Sequence, residues 1–274
     1  MILSAPAKLN LCLFVGPPRD DGLHEIRSLF EPISLADQVE VTEAPADRVV
    51  CPEVGGENLA ARALQALRQR GWDHPPVRVE ISKRIPVAGG LGGGSADAAA
   101  VLRLADGQID GIEEAAAELG ADVPSQLHPA FSLVGGAGEQ VEQLPPPGEH
   151  AIVLLLDSQG LSTADVYAEA DHIGLGREVS QLEKLEQRLR DAVAAGASPL
   201  DYTQLLVNDL EPAALALRPR IEDSLEALRA AGAARALISG SGPTAFGLFA
   251  DSESAEVAAS ELGPAAIVCT PEAT

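Results

Sequence analysis

A run of glycine followed by alanine, "IPVAGGLGGGSADAAA" at residues 85–100, is the part of the chain whose composition points most directly to chemistry. Glycine loses more conformational freedom on folding than any other residue, so such a run needs a reason. One reading is a flexible linker. The other is a phosphate-binding loop, because glycines let backbone N–H groups approach an anion and the free amides of a following helix favour negative charge. Its position between an apolar strand, "VRVEIS", and an alanine-rich helix favours the loop.

The loop departs from two well-known phosphate-binding sequences. No lysine followed by Ser or Thr closes it, as in a Walker A loop, and Ser95 stands where a Rossmann fingerprint would place a glycine after Gly90 and Gly92. We therefore expect a phosphate site of another type. Ser95 would add a hydroxyl donor where the next helix begins.

Lysine is rare in this chain, and two lysines stand beside motifs. Of the 19 basic residues only Lys8, Lys83 and Lys184 are lysine. Lys8 lies in "APAKLNL" and Lys83 lies just before the glycine run, in "SKRIP". An ammonium is a compact point charge suited to a phosphate or a transferring proton. The residues alone leave function and chance placement equally open.

Apolar periodicity predicts the elements that hold the loop. Strands are predicted for "KLNLCLFV", which we expect to be short, and for "DQVEVTEA" and "PVRVEISK". A helix is predicted for residues 58–70, with Asn58 as N-cap and Gly71 as stop. A second, small-faced and buried helix is predicted from Ser95 to about Ala105. A third covers "IEEAAAELG", which ends at Gly120.

Three consecutive prolines in "LPPPGEH", residues 144–150, predict a boundary between domains 1–147 and 148–274, with a stiff loop inside one domain as the alternative. Beyond them, a buried strand is predicted for "AIVLLLD", and a strand, a glycine turn and a second strand are predicted for "ARALISGSGPTAFGLFA". Helices are predicted for 180–195 and about 220–231. Strands and helices mix in both halves, so the class is α+β or α/β.

Composition excludes several partners. The net charge of −22 argues against nucleic acid and anionic membranes, which both need a basic face. No apolar run approaches the ~20 residues of a membrane span, and "MILSAPAKLN" is unlike a signal peptide, so we expect a cytoplasmic protein. Cys12, Cys51 and Cys269 are scattered and read as reduced structural thiols.

The glycine run resembles the ATP-binding motif Pro-x-x-x-Gly-Leu-Gly-x-Ser of the GHMP kinases, the superfamily named for galactokinase, homoserine, mevalonate and phosphomevalonate kinases. Other stretches are similar to that family in the same order along nearly the whole chain. They are "SAPAKLNLCLFV", "DDGLHEIRSLF", "GADVPSQL", "LSTADVY", "NDLEP" and "SGSGPTAFGLF". "KRIP" and "DGLHE" are most similar to the members that act on a cytidine diphosphate-linked methylerythritol.

The resemblance implies an α+β fold in two domains. The N-terminal domain would be like domain 2 of ribosomal protein S5 and the C-terminal domain ferredoxin-like, with the active site in the cleft between them. It implies transfer of the ATP γ-phosphoryl group to the substrate's 2-hydroxyl, with Mg²⁺ expected and its protein ligands unassigned. The alternatives are a homoserine- or mevalonate-type kinase, or a nucleotide-binding protein without catalysis.

The resemblance also implies catalytic and ATP-binding residues. Asp122 matches the proposed base and Lys8 a lysine beside it; a carboxylate that accepts the hydroxyl proton suits phosphoryl transfer. Because Pro124 suits the first helical position, Val123 is the expected cap, which leaves the Asp122 side chain free. The alternatives to a catalytic role are an N-cap for Asp122 and a solvated charge at a strand edge for Lys8. The ATP-binding residues would be Lys83, Pro86, Gly89, Gly90, Leu91, Gly92, Gly93, Gly94 and Ser95, although Lys83 is equally consistent with an exposed charge.

The substrate-binding residues implied by the resemblance are Asn10, His24, Thr163, Tyr167, Gly240 and Gly242. Asn10 shares a strand face with Lys8, so it is expected to bind substrate or orient Asp122. The plain alternatives are a surface position for His24, a core position for Tyr167 and a tight hairpin for the two glycines. Leu23 departs from the family pattern, which has a tyrosine that stacks on cytosine. "SQLHPAFSLVGGAGE" also departs, so His128 receives no role.

Overall fold

The computed structural model describes residues 1–55, 58–157, 159–194 and 196–272. Its strands are β1 Ile2–Pro18, β2 His24–Glu43, β3 Arg48–Val50, β4 Val77–Ser82, β5 Ser132–Gly135, β6 Gln140–Gln143, β7 Ala151–Leu155, β8 Arg235–Ile238, β9 Ala245–Phe249 and β10 Ala266–Cys269. Its helices are α1 Leu59–Gln69, α2 Gly93–Leu102, α3 Ile112–Leu119, α4 Val123–Leu127, α5 Thr163–His172, α6 Val179–Val193, α7 Glu211–Leu217, α8 Ile221–Ala230 and α9 Ser252–Leu262. Short 3-10 helices cover Arg103–Ala105 and Pro199–Leu205.

The strands form two sheets. In the first the order is β3-β4-β2-β5-β6, and β1 pairs with β2 along nearly its full length. In the second the order is β10-β7-β9-β8, with antiparallel neighbours throughout. The predicted boundary at 147/148 lies between β6 and β7, and therefore between the two sheets. It stays a prediction, because two of the three apolar cores contain residues from both sides of it.

Strand β1 is much longer than the short strand that the sequence predicts. Alternation identifies only the apolar centre, whereas pairing with β2 extends the strand to Ile2 at one end and to Pro18 at the other. Irregularities in the register fall between Pro6 and Ala7 and between Asn10 and Cys12. The pairing sets Lys8 opposite Pro32 and Asn10 opposite Phe30, so both polar side chains face the cleft described below.

Most helix boundaries are close to the prediction. Asn58 caps α1 by accepting the N–H of Ala60 at 2.8 Å. Helix α3 has two glutamates in its first turn and Gly120 after its end. Helix α6 ends at Val193; the predicted end at Ala195 lies outside the described residues.

Helix α2 is slim and buried, as its alanines predict. Ala98, Ala99 and Ala100 have no exposed surface, and the helix packs between α1, α4 and the β1–β2 pair. It begins at Gly93 and not at Ser95, so that prediction was wrong by two residues. A β-carbon at Gly93 would lie 2.9 Å from the Ile85 side chain, so close packing accounts for a glycine at the helix start despite its low helix propensity.

Two further sequence predictions concern cysteines and membranes. All three cysteines are free thiols, as expected, and Cys12 and Cys269 are buried. Within the described residues, no helix has both the length and the apolarity that crossing a membrane requires.

Candidate active site

One cleft of about 990 Å³ gathers nearly all the residues that the sequence singles out. Its volume lies at the upper end of those of typical small-molecule sites. The predicted residues that line it are Lys8, Asn10, His24, Lys83, Pro86, Gly89, Gly90, Leu91, Gly92, Gly93, Gly94, Ser95, Asp122, Thr163, Tyr167 and Gly240. Gly242 does not line the described cleft; it lies behind the loop, where its carbonyl would be 2.8 Å from a β-carbon at position 90.

Two glycines of the loop each combine a left-handed backbone conformation with a close contact that a β-carbon would disturb. Gly90 has a φ of +77°, and a β-carbon there would lie 2.3 Å from the Ser239 carbonyl oxygen. Gly92 caps α2 in the left-handed region, and a β-carbon there would press on the Lys8 side chain at 3.0 Å. No side chain caps α2, so its first amides remain directed at the cleft. Close packing and an open helix start are features of an anion site and not of a slack linker.

Lys8 and Asp122 form an ion pair at the edge of this loop. Lys8 Nζ lies 3.3 Å from Asp122 Oδ2; the lysine side chain is 7% exposed and the aspartate 33%. The Lys8 backbone N–H donates to the Leu91 carbonyl at 3.0 Å, which ties β1 to the loop. Lys8 Nζ also lies 4.4 Å from the centre of the Phe30 ring. A buried ammonium fits these contacts, and a solvated strand-edge charge does not.

Asp122 occupies the N-cap position of α4, which corrects the expectation that Val123 would be the cap. Its side chain nevertheless makes no capping hydrogen bond, whereas its backbone carbonyl accepts from the Ser125 hydroxyl at 2.9 Å. The carboxylate is therefore free to pair with Lys8 and to face the cleft. The helix therefore begins one residue earlier than the preference of proline for the first helical position indicates, with Val123 first and Pro124 second.

Asn10 orients Lys8 rather than Asp122. Its amide oxygen accepts from Lys8 Nζ at 2.6 Å, and its amide nitrogen donates to the Ser28 hydroxyl at 2.9 Å. The Asn10 backbone N–H donates to Ser239 Oγ, which donates to the Gly90 carbonyl at 2.9 Å. One chain of hydrogen bonds thus joins the Lys8 ammonium to the glycine loop.

Lys83 is buried between two carboxylates, so the exposed-charge alternative was wrong. Its Nζ donates to Asp37 and, at 2.8 Å, to Asp97 Oδ2. Its side chain is 6% exposed, and those of the two aspartates 0% and 3%. Burial disfavours the ammonium, but the two carboxylates outweigh burial and raise the pKa of Lys83. Lys83 is therefore charged at neutral pH, beneath the start of α2.

A second group of residues lines the cleft around His24. The Gly16 carbonyl lies 3.0 Å from His24 Nδ1 and can only accept, so Nδ1 carries a proton and donates. The His24 and Tyr167 rings are tilted against each other with centroids 5.2 Å apart. His24 is 9% exposed, so the surface alternative for His24 was wrong. Tyr167 is partly buried and packs against one of the apolar cores while it also lines the cleft, so the core alternative for Tyr167 holds in part. Leu23 is half exposed at the rim of the cleft.

Helix α5 presents Thr163, Tyr167 and Asp171 to the cleft at intervals of four residues. Thr163 Oγ1 lies 2.9 Å from Ser241 Oγ, next to Gly240. Asp171 Oδ1 lies 3.4 Å from His24 Nε2.

Sequence reasoning missed six polar residues of this region, which are Ser28, Asp37, Asp97, Asp171, Ser239 and Ser241. Asp171 could have been predicted from the sequence, because it follows Tyr167 by four residues. The proximity of Asp37 and Asp97 could not be predicted in this way, because 60 positions of sequence separate them and only the fold brings them together.

Comparisons with known proteins identify the family that this chain is similar to. The family model for the GHMP kinases N terminal domain matches residues 58–136, and the model for GHMP kinases C terminal matches residues 181–267. A 4-diphosphocytidyl-2-C-methyl-D-erythritol kinase of Streptomyces coelicolor is 42% identical over 271 residues, covering 91% of this chain and 88% of that protein.

The chain belongs to the GHMP kinases.

As a member of this family it is an enzyme, a kinase with ATP as substrate. Its α+β fold in two parts matches a crystal structure of 4-(cytidine 5'-diphospho)-2C-methyl-D-erythritol kinase with a TM-score of 0.81 and 34% identity over the full length of both chains. A homoserine kinase from Cytophaga hutchinsonii matches with a TM-score of 0.70 at 19% identity, covering 99% of this chain and 93% of that one, which shows the fold alone. Because the matched relatives are kinases, the alternative of a nucleotide-binding protein without catalysis is not favoured.

Proposed function

We propose that this kinase transfers the γ-phosphoryl group of ATP to the 2-hydroxyl of 4-diphosphocytidyl-2-C-methyl-D-erythritol, a step of the non-mevalonate route to isoprenoid precursors. The observation that carries the proposal is the Lys8–Asp122 pair, 3.3 Å apart, at the edge of an open helix start in the cleft. The printed names of relatives about 40% identical over most of the chain support the choice of acceptor.

In the proposed mechanism, Asp122 accepts the proton of the substrate hydroxyl as its oxygen attacks the γ-phosphorus. The bond between that phosphorus and the bridging oxygen breaks, and ADP leaves. Lys8 stabilises the charge that develops on the attacking oxygen and the phosphoryl group. Asn10 holds the ammonium in place through its 2.6 Å contact. The amides at residues 92–95 receive the ATP phosphates.

The group around His24 is the proposed site for cytosine. Tyr167 supplies an aromatic face, and His24 Nε2 with the Asp171 carboxylate 3.4 Å from it supplies polar groups for a base. Thr163 and Gly240 face the same cleft and would contact the diphosphate. Gly242, which lies behind the loop, would act only through the shape of the glycine turn.

Mg²⁺ is expected to enter the cleft with ATP. The described residues contain no group of three or more His, Cys, Asp or Glu side chains that could hold a metal ion. This donor set fits a metal held mainly by phosphates and water, which is common for Mg²⁺. The side chain that would help to hold it is Asp122, whose carboxylate faces the cleft. When bound, Mg²⁺ neutralises charge on the phosphates.

Two coarser inferences accompany this function. We infer a division into an ATP-binding part, 1–147, and a second part, 148–274, which the separate sheets and the two family-model matches support. We also infer a small-molecule partner and a cytoplasmic location, with neither nucleic acid nor membrane as partner, which the net charge of −22 supports.

The test is a panel of acceptor alcohols with isotope-labelled MgATP. We expect label to be transferred to the cytidine-linked methylerythritol, and not to homoserine, mevalonate or methylerythritol phosphate without the cytidine. Transfer to homoserine or mevalonate at a higher kcat/KM would replace the proposed acceptor by one of another GHMP kinase type. Transfer to none of them would overturn the proposal.

A further inference from the structure

Three charged side chains lie together beneath the start of α2, and two of them are carboxylates. Lys83 contacts both Asp37 and Asp97, and all three side chains are almost fully buried. When both carboxylates are ionised, the cluster carries one net negative charge. Lys83 and Asp97 also line the cleft, so this charge lies directly below the glycine loop.

The two carboxylates are not equivalent. Asp37 Oδ1 accepts the backbone N–H groups of Arg84 and Ile85 at 2.6 and 2.8 Å, and Oδ2 accepts from Lys83. Asp97 Oδ2 accepts from Lys83, but its Oδ1 is buried without a hydrogen-bond partner. A buried carboxylate oxygen without a partner strongly disfavours the charged form. Asp97 is therefore the member of the cluster that can take up a proton.

The electrostatics of the cluster agree with its hydrogen bonds. Burial is the largest influence and, with Asp37, raises the pKa of Asp97 to about 7, although Lys83 acts in the opposite direction. The other titratable group that interacts with this cluster is the Cys51 thiol, whose pKa is raised by burial and by Asp97. Lys8 lies on the other side of Gly92, against the same helix start.

The distance to the loop is short. Lys83 Nζ lies 3.2 Å from the point that a β-carbon of Gly93, the first residue of α2, would occupy. Asp97 Oδ2 lies 2.8 Å from that ammonium and Asp97 lines the same cleft, and charges in a buried site interact strongly because solvent screens them little. A polyphosphate at the helix start is repelled by an ionised Asp97 and is not repelled by a protonated one.

We propose that Asp97 is a proton-linked positioning residue for the nucleotide, protonated when ATP phosphates occupy the glycine loop, so that ATP binding takes up a proton from solvent. The inference rests on the proposed placement of the phosphates at this loop. Binding is then strongest when Asp97 is already protonated in the free enzyme. It weakens as pH rises and Asp97 ionises, by about tenfold for each unit by which the nucleotide raises the pKa.

The test is calorimetry of the Mg²⁺ complex of a non-hydrolysable ATP analogue, in buffers of different ionisation enthalpy between pH 6 and 9. We expect net proton uptake that is largest just above pH 7 and falls towards both ends of the range. In Asp97→Asn, which is neutral at every pH, we expect no uptake and a dissociation constant that does not follow pH. Cys51→Ser is the matched control and should retain the uptake.

The carboxyl carbon of Asp97, followed by ¹³C NMR in the unaltered enzyme, provides a second measurement should Asp97→Asn fold poorly. Its titration midpoint should rise when the analogue binds. Binding without proton uptake and without this shift would overturn the inference and leave the proposed function intact. Absence of binding in the unaltered enzyme would overturn both.

Discussion

Lys8 illustrates how the residues of this site depend on one another. Its ammonium is buried, contacts the Asp122 carboxylate and the Asn10 amide oxygen, and lies over the Phe30 ring. The acceptors around the ammonium and the face of the Phe30 ring fit a compact positive charge. Lys8 could be singled out from the sequence because lysine is rare here, and Asn10 because it shares a strand face with Lys8, whereas the contact with Phe30 follows from the β1–β2 register.

Lys8→Met should lower kcat by about 10²–10³-fold, because the charge that develops during transfer loses its nearest cation. KM for ATP should change far less, since the loop amides remain. Steady-state kinetics check this prediction. Lys184→Met removes an exposed lysine of α6 and should leave both constants unchanged. An unchanged kcat in Lys8→Met would contradict the assigned role.

Leu23 is the residue at which this chain departs from the family pattern around the proposed cytosine site. Leu23→Tyr should lower KM for the cytidine substrate about fivefold, because stacking of an aromatic ring on a base is worth ~1–3 kcal/mol. KM for ATP serves as the internal control and should stay constant. If both KM values changed together, or neither changed, the cytosine would have to be placed elsewhere.

At the scale of elements, the glycine loop is fixed by contacts that are distant in sequence. The position of the helix start at Gly93, two residues before the predicted one, depends on packing against Ile85. The need for glycine at position 90 depends on the Ser239 carbonyl, almost 150 residues further along the chain. Local pattern predicted that a loop and a helix exist. It could not predict which backbone would lie against the loop.

Gly90→Ala should lower the stability of the fold and weaken ATP binding, because it places a side chain against this contact. An alanine would have to adopt a φ of +77° with its β-carbon 2.3 Å from the Ser239 oxygen, so the free energy of unfolding should fall by about 1–3 kcal/mol and KM for ATP should rise. Urea unfolding and kinetics measure the two effects. Gly94→Ala, whose β-carbon would meet only Leu59 at 3.8 Å, is the control for folding and should unfold at a urea concentration no lower than that of the unaltered chain.

At the scale of the whole molecule, one buried acid–base pair joins the two halves. His150, just before β7, lies with its Nε2 3.0 Å from Glu31 Oε2 on β2, and neither side chain is exposed by more than 1%. Burial opposes the charged imidazole, but Glu31 outweighs burial and raises the pKa of His150. Sequence alone gave no sign of this pair, because 119 positions separate the partners.

The pair should make stability depend on pH. A raised pKa in the folded state contributes stability that is fully present below the unfolded value of about 6.5 and is lost as pH rises through the folded value. Urea unfolding at pH 6 and pH 9 should therefore show a larger loss for the unaltered chain than for His150→Gln. His172→Gln, an exposed histidine, is the control and should lose as much as the unaltered chain. Equal losses in all three proteins would exclude a charged pair.

The role of Asp122 as the base is tested by comparing Asp122→Asn with the unaltered enzyme in single-turnover transfer from labelled MgATP to 4-diphosphocytidyl-2-C-methyl-D-erythritol. We expect rapid formation of the 2-phosphorylated product by the unaltered enzyme. For Asp122→Asn the expected rate is about 10²–10⁴-fold lower, with ATP affinity retained, because the hydroxyl proton has lost its acceptor. Equal transfer rates in the two proteins, or product formation by neither, would contradict this role.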